Sequence, residues 1–378
     1  MYDCIVIGSG PAGGAAAYHL AKRDRRVLVL EKEALPRYKP CGGGVSPQVQ
    51  SWFDFDFSPA ISLKVVQMVC TWQGGDAQVL ELPPDQAVWM VRRDVFDYFL
   101  VQQAQQQGAQ VQSQTAVTGI TWAGDRWQVH TTSGDFSALY LIGCDGAKGS
   151  TAKWLGLARK RPRWGGALEV EVRLGSHNLR AAHFDFGSVQ NGYAWNFPKA
   201  DGYSIGAGAF IGGKPQDFRG ICAQYAHHFG VDLQSVKHYG HPLLCWQGYH
   251  PLHSQNALLA GEAAAIVDPF TGEGIRPSLL TGMLAAQAID RALGGDPTAL
   301  ANYSRQVHQE WGIDMAWARR LGNLFYRWPE LAYQVAVKRP STRQRMWQIL
   351  CGHSRYRDAA ANGLKLLTTA LLNSPFRR

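Results

Sequence analysis

The sequence predicts a mixed α/β fold: a parallel-sheet domain interleaved with an antiparallel-sheet domain, followed by a helical C-terminal region. Two observations predict it. The N-terminus has the pattern of a strand, a glycine-rich turn and a helix, and a second glycine-rich segment follows about 250 residues later. Between them lie aromatic- and glycine-rich segments whose alternation is typical of antiparallel strands.

The N-terminal segment predicts one complete strand–helix–strand unit. Residues 2–7 are a short apolar run that ends in glycine, which is typical of a buried strand. Residues 13–22 are alanine-rich and predict a closely packed helix, and residues 26–30 predict a second buried strand. Because Glu31 follows that strand, the unit has an acidic residue where dinucleotide-binding units place theirs.

The remaining segments alternate between loop, strand and helix patterns. A loop rich in proline and glycine is predicted over 36–47. The strand patterns cover 61–91, 109–118, 125–142, 164–253 and 256–260, with 109–118 and 125–142 as hairpin strands and 164–253 as an antiparallel sheet. The helical patterns cover 95–107, 278–293 and the chain from 300 onward, with breaks at Pro329 and Pro340.

Composition limits the class of protein. The 378 residues are 46% hydrophobic and 18% charged, which is ordinary for a globular protein with a sizeable core. No run of about 20 apolar residues predicts a membrane span, and no basic-then-apolar leader precedes the first strand. The seven cysteines show neither a CxxC pair nor metal-ligand spacing. We therefore expect a cytoplasmic protein without a disulfide framework or a metal site.

Positive charge is concentrated at the C-terminal end. The net charge is +9, and residues 315–378 hold only two acidic residues, Glu330 and Asp358. The basic residues of this tail are Arg319, Arg320, Arg327, Lys338, Arg339, Arg343, Arg345, Arg355, Arg357, Lys365, Arg377 and Arg378. The tail could bind an anionic membrane, a phosphorylated substrate or an acidic electron donor, or it could be a solvated helical face. Nucleic acid is disfavoured because no nucleic-acid-binding motif accompanies the charge.

The N-terminal glycines carry the chemistry of dinucleotide binding. Gly8 permits a tight turn, Gly10 lets the backbone approach a pyrophosphate, and Gly13 allows close packing of helix on strand. The following helix presents free N–H groups and a positive dipole end to phosphates. Glu31 is placed to accept hydrogen bonds from ribose hydroxyls, which favours FAD or NAD over NADP.

The second glycine-rich segment identifies the nucleotide as FAD, because a second loop must hold the ribityl and flavin end. Glu262 after Gly261 would accept hydrogen bonds from the ribityl hydroxyls. Residues 268–274 form a loop into the predicted helix, whose N-terminus would stabilise negative charge on the reduced flavin. The turn Asp145-Gly146 follows a predicted strand. It adds a carboxylate near the point where the two halves of the dinucleotide meet. Together these motifs predict a Rossmann-like FAD-binding domain.

Three further segments are candidates for contact with cofactor or substrate. Arg93, at the start of a helix, can reach the FAD phosphates, or it can simply cap that helix. Cys41 precedes three glycines that leave the backbone open to close approach; it could face the flavin and deliver a proton, although a buried structural role is commoner for cysteine. The aromatic residues of 193–197 could line an apolar channel or fill the sheet core.

These residues together resemble the geranylgeranyl reductase family, within the para-hydroxybenzoate hydroxylase-like flavoproteins. The matching segments are 8–13 with Glu31, 36–44, Arg93 with 96–97, 144–146, 193–198 and 268–274. The Pro-Cys-Gly-Gly and Trp-x-Phe-Pro pieces are the most specific. One departure is Glu262, where the family usually has aspartate.

The resemblance implies non-covalently bound FAD and hydrogenation of isolated C=C bonds in a geranylgeranyl or other polyprenyl chain. Flavin N5 would donate hydride to one carbon while a proton adds to the other, and NADPH or reduced ferredoxin would supply the electrons. Cys41, Gly42 and Gly43 are the catalytic candidates, and the substrate candidates are Tyr193, Trp195 and Phe197. The cofactor-binding candidates are Gly8, Gly10, Pro11, Ala12, Gly13, Glu31, Lys32, Cys41, Gly42, Gly43, Arg93, Asp145, Gly146, Gly261, Glu262, Pro269, Gly272, Gly274 and Ile275.

The expected architecture is a Rossmann-like FAD-binding domain interleaved with an antiparallel-sheet substrate domain, plus a helical C-terminal region. The FAD-binding domain is predicted over 1–60, 92–163 and 255–298. The substrate domain is predicted over 61–91 and 164–254, and the basic helical region over 299–378. The main alternative function is a flavin monooxygenase of an aromatic or isoprenoid substrate. A non-redox carotenoid cyclase and a flavin-loaded binding protein at a membrane are further alternatives.

Overall fold

The computed structural model of the chain describes residues 1–174, 180–233 and 236–361. The strands are β1 (Tyr2–Ile7), β2 (Val27–Leu30), β3 (Gly44–Val45), β4 (Leu63–Val65), β5 (Gln67–Trp72), β6 (Gly75–Glu81), β7 (Val88–Met90), β8 (Gln110–Gln112), β9 (Val117–Trp122), β10 (Trp127–Thr131), β11 (Gly134–Gly143), β12 (Trp164–Arg173), β13 (Ala181–Phe186), β14 (Gly192–Lys199), β15 (Gly202–Ala209), β16 (Tyr239–Leu244), β17 (His253–Ser254) and β18 (Ala257–Leu259). The α-helices are α1 (Pro11–Ala21), α2 (Arg93–Gln106), α3 (Thr151–Trp154), α4 (Phe218–His227), α5 (Ile275–Leu293), α6 (Ala299–Val307), α7 (Ile313–Arg327), α8 (Pro329–Ala332) and α9 (Pro340–Leu350).

A largely parallel sheet contains both ends of the predicted nucleotide site. Its strand order is β17-β18-β11-β1-β2-β8, and β1 pairs in parallel with β2 and with β11. The strand β8 also pairs in parallel with β2, so the prediction that all of 109–118 is a hairpin strand was wrong. Only β9, β10 and β11 form the antiparallel meander. Since β1 is central, the turn that follows it opens at the carboxyl edge of the sheet, where ligands of such sheets bind.

The helix α1 lies between α2 and α5, and every one of its residues is buried. Small residues make this burial possible because α2, α5 and the parallel sheet all pack against this short helix. A Cβ added at Gly14 would lie 2.8 Å from the Cβ of Leu100 in α2, and one at Gly282 in α5 would collide with the carbonyl oxygen of Ala12. This packing brings the first and second glycine-rich segments together.

The second sheet has the order β16-β12-β15-β14-β13-β5-β6. Its pairs are antiparallel, as predicted for 164–253, except that β13 pairs in parallel with β5. On one face α4 packs into an apolar cluster with β14 and β15. A small sheet of β3, β7 and β4 connects the glycine loop to this region. The limits of the predicted domains stay a prediction.

The C-terminal helices pack against the edge of the second sheet. Pro329 begins α8 and Pro340 begins α9, so the predicted helix breaks are confirmed. Phe325, Tyr333 and Trp347 belong to an apolar cluster with side chains of β5 and β13. The tail residues Lys365, Arg377 and Arg378 lie outside the described residues. Within the described ranges, every helix is too short or too polar to cross a bilayer.

Candidate functional site

A cavity of about 920 Å³ lies between the two sheets. Its walls come from the turn after β1, the end of β2, the loop before β3, the start of α2, the turn after β11, the faces of β12 and β14, and the loop before α5. Both glycine-rich segments therefore border one continuous space. One end of that space is charged and the other is aromatic.

Glu31 forms the floor of the charged end and is only 4% exposed. Its Oε2 accepts hydrogen bonds from the backbone N–H of Ser9 at 3.1 Å and from the Ser9 hydroxyl at 2.6 Å. Burial alone would raise the pKa of this carboxyl, but the Arg37 guanidinium and the Ser9 and Glu33 donors outweigh burial and lower it. Glu31 is therefore an anion at neutral pH and can accept hydrogen bonds from sugar hydroxyls.

Two guanidinium groups flank the turn at Gly10. A Cβ added at Gly10 would lie 3.5 Å from Nη2 of Arg37 and 4.0 Å from Nη2 of Arg93. Asp97, one turn along α2 from Arg93, pairs with Arg93 at 2.7 Å and with Arg37 at 3.3 Å. The carboxylate holds both cations in place beside the positive end of α1, which suits a diphosphate.

Asp145 contributes a carboxylate oxygen with no internal partner. Its Oδ2 accepts hydrogen bonds from the backbone N–H of Thr151 at 2.9 Å and from the Thr151 hydroxyl at 2.8 Å. Its Oδ1 is buried without a partner, and Asp145 lines the cavity. Because Oδ1 is itself buried, the Asp145 carboxylate holds the turn before α3 and presents no accessible acceptor to a ligand.

Gly261 brings the second glycine segment against α1. It has φ of +63°, and a Cβ there would lie 2.7 Å from the Cβ of Ala12. The next side chain, Glu262, accepts hydrogen bonds from Nε2 of His241 at 3.2 Å and from the backbone N–H of Leu244 at 3.3 Å, and it lies 3.4 Å from Nζ of Lys39. Burial would raise its pKa, but Lys39 and His241 lower the pKa to about 2. The Glu262 carboxylate therefore connects the second glycine segment to β16.

The glycine loop at 41–43 packs against the aromatic strand β14. A Cβ at Gly42 would lie 2.9 Å from the Phe197 ring and 3.1 Å from Nε1 of Trp195. Glycine is therefore needed at position 42 partly because the aromatic side chains of β14 leave no room for a Cβ atom. The predicted substrate residues Tyr193, Trp195 and Phe197 all line the cavity, so they form an apolar wall beside this loop.

Two buried side chains of opposite charge hold the same loop. Glu169 of β12 accepts a hydrogen bond from the backbone N–H of Cys41 at 2.5 Å and one from the Tyr38 hydroxyl at 3.0 Å. Lys199 donates one to the carbonyl oxygen of Gly42 at 2.6 Å. The Cys41 side chain is close enough to the Arg93 guanidinium to interact with it electrostatically.

Glu169 is 3% exposed and lines the cavity. Burial, with a smaller contribution from Glu171, raises the pKa of Glu169 to about 7. Glu169 therefore exchanges a proton near neutral pH, which is the range a general acid needs. Its partner Tyr38 is partly exposed, so the pair connects the cavity wall with the surface.

The loop before α5 closes the cavity near its aromatic end. The Tyr193 hydroxyl donates a hydrogen bond to the carbonyl oxygen of Thr271 at 2.5 Å. Glu273 lines the cavity and pairs with Arg276 at 2.8 Å. Burial raises the pKa of Glu273 to about 7 against the effect of Arg276. A second carboxyl that titrates near neutrality thus borders the site.

Most of the residues selected from the sequence meet at this cavity. Those that line it are Gly8, Gly10, Pro11, Ala12, Glu31, Lys32, Cys41, Gly42, Gly43, Arg93, Asp145, Gly146, Tyr193, Trp195, Phe197, Glu262, Gly272, Gly274 and Ile275. Gly13, Gly261 and Pro269 are not among the lining residues and lie in the supporting segments. Their roles toward a ligand stay predictions.

Sequence reasoning missed several cavity residues. These are Arg37, Tyr38, Lys39, Glu169, His241 and Glu273. One signal was available: Glu169 and Glu171 are two residues apart on a predicted buried strand, so both point to one face. The position of His241 beside Glu262 depends on the pairing of β16 with β12, which a local pattern does not reveal.

Comparison with known proteins agrees with this geometry. A family model described as an NAD(P)-binding Rossmann-like domain matches residues 6–59, and one described as an FAD binding domain matches residues 62–189. Digeranylgeranylglycerophospholipid reductase 1 of Methanothermobacter thermautotrophicus is 30% identical over 344 residues, covering 83% of this chain and 84% of the relative. The chain belongs to the geranylgeranyl reductase family of FAD-dependent oxidoreductases.

Solved structures share the fold. A geranylgeranyl bacteriochlorophyll reductase-like protein of Thermoplasma acidophilum matches with a TM-score of 0.77 and 21% identity, covering 86% of this chain and 87% of that one. The flavin-dependent brominase Bmp2 matches with a TM-score of 0.73 and 18% identity, covering 96% and 99%. These likenesses concern the fold alone.

The residues present fit the FAD of this family. The guanidinium pair beside Gly10 suits a diphosphate, and Glu31 suits ribose hydroxyls. The aromatic wall borders an apolar space that suits a flat ring. FAD is therefore the cofactor, and these charged residues would hold its phosphate and ribose groups.

Glu31→Ala should weaken FAD binding by about 10–100-fold, because a buried acceptor of charge-assisted hydrogen bonds is worth about 1.5–3 kcal/mol. Flavin fluorescence titration of the FAD-free protein measures the affinity. Glu81→Ala is the matched control, since that side chain is exposed and does not line the cavity. Equal affinities for the Glu31 variant and the wild type would contradict the assignment.

Proposed function

We propose that this FAD-dependent enzyme hydrogenates isolated C=C bonds of a geranylgeranyl or other polyprenyl chain. The observation that carries the proposal is the meeting of the aromatic wall of β14 with the loop at 41–43 inside one cavity. An apolar chain would lie along Tyr193, Trp195 and Phe197. The relative named digeranylgeranylglycerophospholipid reductase supports a prenyl substrate.

Reduced FAD, when bound, would supply the hydride from N5, and the protein must supply the rest. An unactivated alkene accepts hydride poorly, so water must be excluded and a proton must be available at the second carbon. The aromatic residues of β14 exclude water from the apolar end. The backbone at Gly42 and Gly43 would place the cofactor ring and the alkene in close contact.

Two side chains at the loop are candidates to hold the proton. Cys41 is the donor expected from the family resemblance, and its thiol lies near the Arg93 guanidinium. Glu169 contacts the backbone N–H of Cys41 and has a pKa of about 7, so below that pH it carries a proton at the cavity wall. Tyr38 would relay a proton to Glu169: its hydroxyl would take one proton from solvent as it gives its own to the carboxylate, so that the tyrosine stays neutral.

The electron donor is proposed to be NADPH or a reduced ferredoxin. The basic C-terminal region suits an acidic donor protein or an anionic membrane surface. A flavin monooxygenase of an aromatic or isoprenoid substrate is the alternative function, because the glycine motifs of the FAD site are shared by the whole superfamily of such flavoproteins. The two functions differ in their need for oxygen, and that difference makes them separable.

An anaerobic single-turnover assay tests the proposal. The FAD-loaded protein is reduced with dithionite, mixed with geranylgeranyl diphosphate or a geranylgeranylated lipid, and followed by flavin absorbance and product mass. We expect reoxidation without air and a product that gains two hydrogen atoms per flavin. Reoxidation that requires air and yields an oxygenated product would establish the monooxygenase instead.

Glu169→Gln should slow anaerobic reoxidation about 100-fold, because it removes a proton donor while keeping a similar shape. In the wild type the rate should fall as pH rises through about 7, where Glu169 loses its proton. The variant should lose that pH dependence. Glu171→Gln is the matched control: it removes a neighbouring negative charge and should move the midpoint to lower pH. A wild-type pH profile in the Glu169 variant would exclude Glu169 as the donor.

A further inference from the structure

The C-terminal helices expose four large apolar side chains on a short stretch of chain. Leu324, Trp328, Leu331 and Val335 are 56%, 51%, 62% and 43% exposed, respectively. They lie close together in sequence but on successive helical segments, because the chain leaves α7 at Trp328 and begins α8 at Pro329; what they share is their exposure. We refer to these four residues as the exposed apolar stripe. Clustered exposure of this kind marks an interaction surface, whereas single exposed apolar residues are ordinary.

The protein does not need the stripe in order to fold, because the same helices already bury other side chains against the second sheet. Phe325 and Tyr333 lie in an apolar cluster with strands β5 and β13. The Tyr333 hydroxyl lies within hydrogen-bonding distance of two carbonyl oxygens, that of Cys70 at 3.0 Å and that of Asp76 at 2.6 Å, and donates its one proton between them. The helices are thus attached to the protein from within, and the stripe remains on the outside.

Exposed arginines lie in the same segment as the stripe. Residues 319–345 contain seven basic residues and one acidic residue, Glu330; Arg343 is buried and Lys338 pairs with Asp76, whereas Arg320, Arg327 and Arg339 are exposed. The Arg327 guanidinium lies 4.9 Å from the centre of the Trp328 ring, and that of Arg320 lies 4.8 Å from the Trp317 ring. Arginine beside tryptophan places a charged head and an apolar body at one level, as at the boundary between lipid headgroups and chains.

The stripe also lies close to the substrate cavity. A smaller cavity of about 240 Å³ lies beneath Pro329, bordered by Phe325 and Phe186. The Phe186 ring is 6.0 Å from the ring of Tyr193, which lines the large cavity. Trp347 of α9 lines the large cavity as well. The C-terminal helices therefore form a wall of the site on one side and the exposed stripe on the other.

We propose that the exposed apolar stripe docks the protein on an anionic lipid bilayer, with its four side chains among the lipid chains and the neighbouring arginines at the headgroups. This inference rests on the proposed function, since a lipid-borne prenyl chain would reach the cavity from this side. Binding strength would combine buried apolar area with attraction to anionic lipid.

The charges favour a bilayer over protein partners. A second copy of the chain docked on the stripe would bring Arg320, Arg327 and Arg339 close to the same residues of its partner, which like-charge repulsion opposes. An acidic donor protein would match the arginines but gives no reason for exposed leucine and valine between them. An anionic bilayer matches both features.

Vesicle flotation of the full-length, FAD-loaded protein tests the docking. We expect flotation with mixed phosphatidylcholine–phosphatidylglycerol vesicles, weaker flotation with phosphatidylcholine alone, and weakening by high salt. The double variant Leu324→Ser/Leu331→Ser should lower vesicle partitioning by about tenfold. The double variant Val79→Ser/Val95→Ser is the matched control, because both valines are exposed elsewhere, and its flotation should not change.

Two further readouts distinguish docking on a bilayer from self-association and from binding to a donor protein. Brominated lipids should quench more fluorescence in the wild type than in Trp328→Phe. Anaerobic turnover of dispersed geranylgeranyl diphosphate should be unchanged in the double leucine variant, so a docking failure is distinguishable from failure of the proposed function. Undiminished flotation of that variant would overturn the proposal. So would a dimer in sedimentation velocity that the variant abolishes, or binding to an acidic ferredoxin with no binding to vesicles.

Discussion

The close approach of α1 to the second glycine segment is the contact on which the site depends. The Cα positions of Gly261 and Gly282 leave no room for a side chain against Ala12. Because α1 begins at the end of β1, this contact brings residues about 250 positions apart to one edge of the sheet. The first segment would face the phosphates of FAD and the second its flavin end. A single cofactor can then span both.

The cavity is lined by two kinds of surface, one charged and one aromatic. At one end Glu31, Arg37, Arg93 and Asp97 form a chain of buried ion pairs that is already in place for a charged nucleotide. Truncating one member of such a chain would leave its partner buried and unpaired, which is strongly destabilising. At the other end, aromatic rings provide a dry surface. The loop at 41–43 lies where the two surfaces meet.

Local patterns predicted the fold well. The strand at Tyr2–Ile7 and the breaks at Pro329 and Pro340 are confirmed because burial, glycine and proline act within a few residues. The glycine-rich and aromatic segments meet at the cavity through long-range packing, and the expectation that they would meet came from the paired glycine motifs and the family resemblance. The parallel pairing of β8 and the contacts of Glu169 and His241 depend on strands distant in sequence. Register across a sheet is set by the whole fold, so local patterns did not predict them.

The measurement that tests the central contact most directly is the FAD affinity of Gly261→Ala. The added methyl group would lie 2.7 Å from the Cβ of Ala12 at a backbone φ of +63°, so α1 and the flavin loop must separate. The wild type should bind one FAD per chain, and the variant should bind it about tenfold more weakly. Gly240→Ala, where a Cβ meets open space, should bind as the wild type does. Unchanged FAD affinity in Gly261→Ala would contradict the account.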